Sequence, residues 1–327
     1  MDSQIAENFR RLLAEAKGRN IAVAGHMRPD GDCVSSALSM FEILQAAGAN
    51  VKCLNKNEVP HLYKNLAQFE FESTETFDPK GWDILLVDCS DLSRVSPALK
   101  EKLGDVYACI DHHESGTSNA KIMCIDKSAG ATAEIIALCA TEVGAKISRR
   151  AANLLFMGIA TDTRLFTTSS TRQESFEAAR RLVELGADPN AVAQELYQRE
   201  RAQKMALLSV YLGTLKRLCQ GRVCAGFLRR ADFEKTGAQK EDTDGLVDFA
   251  RSIDGVEIAA LLEELEDGSV KGSLRGRTPE YSVNKIAEYF GGGGHLAAAG
   301  FTAKNQTFDT ILPKFEELCR KSLDRDL

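Results

Sequence analysis

The sequence predicts an α/β fold: a mostly parallel N-terminal sheet flanked by helices, a helical connector and a smaller C-terminal α/β domain. The chain has 327 residues, and a single domain usually has ~100–200. Its first half alternates short apolar runs with helical patterns, which is typical of parallel sheets covered by helices. Because this pattern changes twice, we place the domains at 1–188 and 219–327, with the connector at 189–218.

Four apolar runs in the first half predict strands, at 21–24, 51–54, 84–87 and 106–110. The first twenty residues form an amphipathic pattern, and further helical patterns lie at 36–47, 131–143, 149–160 and 172–185. Glycines follow three of these helices, as expected for left-handed C-caps. The second domain is predicted to have strands at 223–228, 256–262 and 270–274 and helices at 243–252, 282–290 and 307–323.

Composition excludes several classes of protein. With 44% hydrophobic and 27% charged residues, the chain is typical of a soluble globular protein. A net charge of −6 disfavours broad binding of long nucleic acid, but not of a small phosphorylated substrate. We expect no membrane span and no signal peptide. The nine scattered cysteines contain no Cys-x-x-Cys pair, which disfavours a zinc knuckle and indicates a reduced, cytoplasmic protein.

Acidic and histidine side chains follow three of the predicted strands where each strand ends. They are His26, Asp30 and Asp32 after the first strand, Asp88 after the third, and Asp111, His112 and His113 after the fourth. Ligands of open α/β sheets bind outside the carboxyl ends of the strands. We therefore expect these side chains to meet at one edge of the sheet.

Each part of this set also has an ordinary structural interpretation. An Asp-Gly-Asp sequence is usually a solvated turn, and Asp88 could merely cap a turn. Asp162, a further candidate at the end of an apolar helical pattern, could also cap the next turn. Together, however, clustered carboxylates repel one another unless cations neutralise them. Carboxylates mixed with imidazoles favour Mn²⁺ or a comparable ion over structural zinc. The ligands suffice for two ions, and Asp88, from the central loop, is the candidate bridge between them.

These residues resemble the motifs of a known family. His26-x-x-Pro29-Asp30-Gly31-Asp32, Val87-Asp88, Asp111-His112-His113 and Thr161-Asp162-Thr163 match, in order, four motifs of the DHH phosphoesterases. Gly291-Gly292-Gly293-Gly294-His295 with Ala298-Ala299-Gly300-Phe301 is similar to the signature of the DHH-associated substrate domain. The resemblance extends over residues 20–302.

The resemblance implies roles for the residues that match. One ion would be held by His26, Asp30 and Asp88, and the second by Asp32, Asp88, His112 and Asp162. Both would be Mn²⁺, with Mg²⁺ or Co²⁺ as alternatives. His113 would stabilise the scissile phosphate or protonate the leaving oxygen, and Asp111 would orient a histidine.

Within the family, the chain length and the segment Ser273-Leu274-Arg275-x-Arg277 resemble the bacterial nano-RNases that are also phosphatases of 3′-phosphoadenosine-5′-phosphate (pAp). This implies hydrolysis of very short oligonucleotides, of pAp, or of both, and no partner among membranes or long double-stranded nucleic acids. A homodimer is left open. The alternatives are a single-strand exonuclease, a linear dinucleotide (pGpG or pApA) phosphodiesterase, an inorganic pyrophosphatase and a non-hydrolytic nucleotide sensor.

Candidate substrate-binding residues lie mostly in the second half. Backbone N–H groups of Gly292, Gly293 and Gly294 could approach an anion, and a helix-like stretch begins at His295. Arg275 and Arg277 are two residues apart in a strand pattern, which predicts that both point to one face and grip phosphate. In the first half, Thr132 opens a helix and either presents its hydroxyl to the site or belongs to an ordinary first turn.

Two residues depart from the family pattern. Ser35 and Arg164 stand where glycine is common. Arg164 follows the Thr161-Asp162-Thr163 motif directly, so we expect it to contact a phosphate or to narrow the site. The exact substrate, rather than the metal chemistry, depends on these two positions.

Overall fold

The computed structural model describes residues 3–113, 116 and 118–324. The chain forms two compact units, Met1–Arg199 and Glu200–Leu327. The predicted connector contributes to both, since its first helix lies in the first unit and its second helix in the second. Within the described residues, no helix is long and apolar enough to cross a bilayer.

The first unit is built on a six-stranded sheet in which every neighbouring pair is parallel. The strand order is β3-β2-β1-β4-β5-β6. The strands are β1 (Asn20–Ala24), β2 (Asn50–Asn55), β3 (Glu72–Ser73), β4 (Asp83–Val87), β5 (Ala108–Asp111) and β6 (Ile122–Ile125). The prediction of a parallel N-terminal sheet is therefore confirmed.

Helices cover both faces of this sheet, because successive strand residues pack into two different hydrophobic clusters. On β1, for example, Ile21 packs into one cluster and Ala22 into the other. The helices are α1 (Ser3–Ala16), α2 (Gly31–Ala46), α3 (Lys64–Ala67), α4 (Pro97–Lys102), α5 (Thr132–Glu142), α6 (Arg149–Asp162), α7 (Gln173–Glu184) and α8 (Pro189–Tyr197).

A glycine allows α6 to pack closely against α2 and α5. A Cβ added at Gly158 would lie 2.6 Å from the Cβ of Ala133 and 2.8 Å from Oδ1 of Asp32, closer than packed atoms approach. The buried Ser35 contributes to the same contact, with its Cβ 3.0 Å from that position. This close packing carries Asp162, the last residue of α6, to the edge of the sheet where Asp32 lies.

The second unit has a mixed six-stranded sheet in the order β11-β12-β10-β9-β8-β7. Only β8 and β9 pair in parallel among the described strands of this sheet. Its elements are α9 (Ala202–Gly213), β7 (Lys216–Leu218), β8 (Val223–Leu228), α10 (Arg230–Thr236), α11 (Leu246–Arg251), β9 (Ile258–Glu264), β10 (Val270–Gly276), α12 (Val283–Tyr289), β11 (Gly293–His295), β12 (Ala298–Ala303) and α13 (Phe308–Leu323).

The predicted helix start at His295 is wrong. The segment instead forms an antiparallel hairpin of β11 and β12, in which His295 pairs with Ala298. The glycines serve close strand packing, since a Cβ at Gly292 would lie 2.1 Å from the carbonyl oxygen of Gly300. Runs of glycine and alanine carry no hydrophobic periodicity, and this is why the sequence pattern could not distinguish the hairpin from a helix.

Candidate metal centre

The predicted metal ligands converge where the strand order of the first sheet reverses. From β1 the chain continues through β2 to one edge of the sheet, and β4 lies on the other side of β1. His26 follows β1, Asp88 follows β4, and Asp111 ends β5. This carboxyl edge at a switch point is the usual binding position in open α/β sheets.

The first group of side chains surrounds His26, which is 4% exposed. Its Nδ1 lies 2.8 Å from the carbonyl oxygen of Met27, which can only accept, so Nδ1 is a donor and Nε2 is the ring nitrogen that faces the site. Nε2 is buried without a hydrogen-bond partner, 3.3 Å from Oδ2 of Asp88 and 3.7 Å from Oδ2 of Asp30. An imidazole nitrogen that faces two carboxylates is an arrangement that can hold a metal cation.

A second group forms around His112. Its Nδ1 lies 3.1 Å from the carbonyl oxygen of Ala129, which again leaves Nε2 as the nitrogen that faces the site. Nε2 is 3.4 Å from Oδ2 of Asp162 and 3.6 Å from Oδ1 of Asp88. In both histidines, a backbone carbonyl oxygen therefore fixes the ring through Nδ1, and carboxylates face Nε2.

Asp32 belongs to the second group and is fully buried. Its Oδ2 accepts from the backbone N–H of Thr132 at 2.6 Å, and its Oδ1 from that of Ala133 at 2.9 Å. Burial and the nearby charge of Asp88 raise the pKa of Asp32 well above its ordinary value, and the same two causes raise the pKa of Asp162. A bound cation would relieve this repulsion.

Asp88 lies between the two groups. It is 1% exposed, and its φ of 54° is in the left-handed region that few residues other than glycine adopt. Oδ2 faces His26 whereas Oδ1 faces His112, and Oδ1 also accepts from the Thr132 hydroxyl at 3.1 Å. The carboxylate is thus placed to contact ions on both sides.

Asp111 and His113 form a pair beside this centre. Oδ1 of Asp111 lies 2.7 Å from Nδ1 of His113, and Oδ2 accepts from the N–H of Ser90 at 2.7 Å. Burial opposes ionisation of Asp111, but hydrogen bonds from His113 and Ser90 outweigh it and lower its pKa. The hydrogen bond to Asp111 raises the pKa of His113. Asp111 therefore fixes the ring and leaves Nε2 of His113 for another contact.

Sequence reasoning missed Cys33 as a neighbour of the site. A ligand atom of Cys33 lies within 4.8 Å of those of His26 and Asp88. Burial raises the pKa of Cys33 to about 11, which disfavours a thiolate, and the other donors around the site are carboxylate oxygens and imidazole nitrogens. This donor set fits Mn²⁺ or a similar cation. Helix α2 begins at Gly31 rather than at the predicted residue 36, which is why Cys33 faces the site.

The backbone at Arg164 adopts a conformation that favours glycine. Arg164, Leu165 and Phe166 all have positive φ values, of 46°, 56° and 63°. Glycine adopts this backbone region without the cost imposed by a Cβ. The predicted contact of Arg164 with a phosphate stays a prediction.

The structure separates Arg277 from the other candidate substrate-binding side chains of the second unit. Arg277 lies beyond the end of β10, and its guanidinium donates to the carbonyl oxygens of Val256 at 2.7 Å, Arg251 at 2.9 Å and Ile253 at 3.2 Å. Arg275 and His295, by contrast, both pair with Ala298 of β12, one from each side. Directly paired residues point to the same face of a sheet, so the side chains of Arg275 and His295 lie on the same face. Arg277 lies outside the strand and is not part of that face.

Comparison with known proteins agrees with this architecture. The chain matches the family model "DHH family, N-terminal domain" over residues 20–159 and the "DHHA1 domain" over residues 220–321. It is 28% identical to the bifunctional oligoribonuclease and PAP phosphatase NrnA of Thermus thermophilus, covering 96% of this chain and 94% of that protein. It is 32% identical to a manganese-dependent inorganic pyrophosphatase of Methanocaldococcus jannaschii, over 51% of this chain and 56% of that protein.

A solved structure shows the same fold. The exopolyphosphatase-related protein of Bacteroides fragilis superposes with a TM-score of 0.86 at 22% identity, covering 98% of this chain and 96% of that one. The two family models, matched in order, agree with the sequence motifs and with the strand-end placement of their acidic and histidine residues. The chain therefore contains a DHH-family N-terminal domain followed by a DHHA1 domain.

Proposed function

We propose that this protein is a Mn²⁺-dependent hydrolase that cleaves very short oligoribonucleotides to mononucleotides and removes the 3′-phosphate of pAp. The observation that carries the proposal is the Asp88 carboxylate, which faces an imidazole–carboxylate group on each side. The named activity of the NrnA relative, which matches along almost its whole length, supports the choice of substrates.

The side chains divide into two ligand sets. His26, Asp30 and Asp88 would hold one ion, and Asp32, Asp88, His112 and Asp162 the other. Two metal ions held by these sets would supply a nucleophile from water at neutral pH and would neutralise the charge that develops on the phosphate. The protein supplies ligands of which His26, His112 and Asp32 are fixed by backbone hydrogen bonds.

His113 would act on the leaving group. Its Nδ1 faces Asp111, so Nε2 is the atom available to the substrate. Because Asp111 favours the charged imidazolium, His113 can donate a proton to the departing oxygen or a hydrogen bond to the phosphate. Asp111 is then a positioning residue.

We assign binding of the non-scissile end of the substrate to the side chains of Arg275 and His295. The backbone N–H groups of Gly292, Gly293 and Gly294 lie nearby in the hairpin. The shared face of β10 and β11 supports this assignment. Arginine forks match phosphate oxygens, and pAp and oligonucleotides both carry a second phosphate.

The proposed function is tested by one assay on four substrates. Purified protein with Mn²⁺ should hydrolyse pAp and a ribodinucleotide, with slower turnover of a long single strand and of pyrophosphate, and chelation should abolish activity. Preferred hydrolysis of pyrophosphate would support the inorganic pyrophosphatase instead, which the partial match to such an enzyme makes the main rival. Nucleotide binding without turnover would support the sensor.

The proposed binding of the non-scissile end is tested by the variants Arg275→Ala and His295→Ala. Loss of a charge-assisted contact to phosphate costs about 1.5–3 kcal/mol, so kcat/KM for pAp should fall about tenfold to more than a hundredfold. Hydrolysis of bis-p-nitrophenyl phosphate, which has no second phosphate, should fall much less, and Mn²⁺ binding should persist. Arg230→Ala, at an exposed arginine of the same unit, is the control. Equal losses on both substrates would contradict the assignment.

A further inference from the structure

The segment that follows β6, together with the first turn of α5, touches several residues of the metal centre. The backbone N–H groups of Thr132 and Ala133 donate to Asp32, and the Thr132 hydroxyl donates to Asp88. The carbonyl oxygen of Ala129 fixes the ring of His112. The placement of residues 126–134 therefore determines where these ligands point.

An ion pair between Glu134 and Arg172 holds this segment in place. Glu134 is fully buried, and its carboxylate accepts from the N–H of Gly130 at 3.2 Å and from Nε of Arg172 at 2.7 Å. The same guanidinium donates to Asp126 at 2.6 Å and to the hydroxyl of Ser128. The Arg172 side chain thus binds residues at both ends of the segment 126–134.

The pair also reaches the segment that carries Asp162. Arg172 is the N-cap of α7 and ends the loop that follows α6. That loop packs on Gly130, where an added Cβ would lie 3.0 Å from Cγ2 of Thr163 and 3.2 Å from the carbonyl oxygen of Ser170. The ion pair between Arg172 and Glu134 therefore connects residues 126–134, which contact Asp32 and His112, to the loop that follows Asp162.

From these contacts we infer that Arg172 and Glu134 are positioning residues for the second ion, the one assigned to Asp32, His112 and Asp162. The segments that they connect carry or contact all three of these ligands. In the first set, His26 and Asp30 are instead fixed by Met27 and by the backbone N–H of Cys33. The inference rests on the proposed function, since it assumes two ions.

The test counts bound Mn²⁺ by electron paramagnetic resonance of the free ion during titration. Loss of a partner that orients a metal ligand typically weakens metal binding about 10–100-fold. In Arg172→Ala and in Glu134→Gln, the affinity of one Mn²⁺ should fall by that factor, while the affinity of the other, which shares only Asp88 with the contacted ligands, should fall clearly less. Arg172→Lys should recover part of the affinity, and KM for pAp at saturating Mn²⁺ should stay near the wild-type value.

Controls identify the ion and separate this inference from the proposed function. Arg180→Ala, an arginine of α7 with surface ion pairs to Glu177 and Glu184, should leave both affinities unchanged. Combining Arg172→Ala with Asp30→Asn should weaken both ions. Unchanged or equally weakened affinities in the Arg172 and Glu134 single variants would overturn the inference. A wild-type protein that binds a single Mn²⁺ would instead overturn the two-ion proposal itself.

Discussion

Asp88→Asn should reduce turnover of pAp and of a dinucleotide by several orders of magnitude. Both ligand sets depend on this carboxylate, so its loss weakens two ions, whereas loss of any other ligand weakens one. Asparagine is the appropriate replacement because residue 88 has a positive φ, which asparagine tolerates better than alanine. The measurement is kcat/KM at saturating Mn²⁺, with circular dichroism to show that the fold survives.

A carboxylate of the same loop provides the control. Asp91 lies three residues after Asp88, where its Oδ1 accepts from the N–H of Ser93 at 2.8 Å, and no contact joins it to the ligand sets within the described part of the chain. Asp91→Asn should therefore retain near-normal turnover. Near-normal activity of Asp88→Asn would instead contradict the bridging assignment.

His113→Gln should lower kcat about 10²–10⁴-fold, the usual contribution of a positioned proton donor. Both Mn²⁺ ions should remain bound, because His113 is in neither proposed ligand set. Activity and metal binding are thus expected to separate, which distinguishes His113 from the adjacent His112. The measurements are single-turnover rates on pAp and the Mn²⁺ stoichiometry of the same preparation.

Two further variants sharpen this result. Asp111→Asn, which keeps the shape of the orienting side chain but removes its charge, should produce a smaller loss in the same direction. His61→Gln, a substitution of a histidine exposed on the same unit, should change neither quantity. If His113→Gln lost an ion, His113 would be a ligand and another group would have to serve the leaving oxygen.

Much of the first unit was predictable from sequence because its buried strands are continuous apolar runs. β6 was missed since it is short and Met123 on it is 39% exposed, so no such run is visible. β11 and β12 were missed because glycine and alanine give no period. Here contacts between strands, rather than local preference, decide the structure.

The convergence of the acidic and histidine side chains was predictable for a topological reason, whereas their division into two ligand sets was implied by the resemblance and stays a prediction. In a parallel sheet, residues that follow different strands meet at one edge, so their positions in the sequence identify them. Glu134 and Arg172 carry no such signal. They are 38 positions apart, and only the packing of α5 and α7 brings them together. The same holds for Arg277, whose three carbonyl partners lie 21 to 26 positions away.

The central claim is that two ions flank Asp88, and anomalous scattering at the manganese edge tests it most directly. Crystals grown with Mn²⁺ should show two peaks about 3.5–4 Å apart, with one carboxylate oxygen of Asp88 near each. His26 and Asp30 should contact one peak, and Asp32, His112 and Asp162 the other. A single peak, or two peaks that Asp88 does not join, would contradict the account.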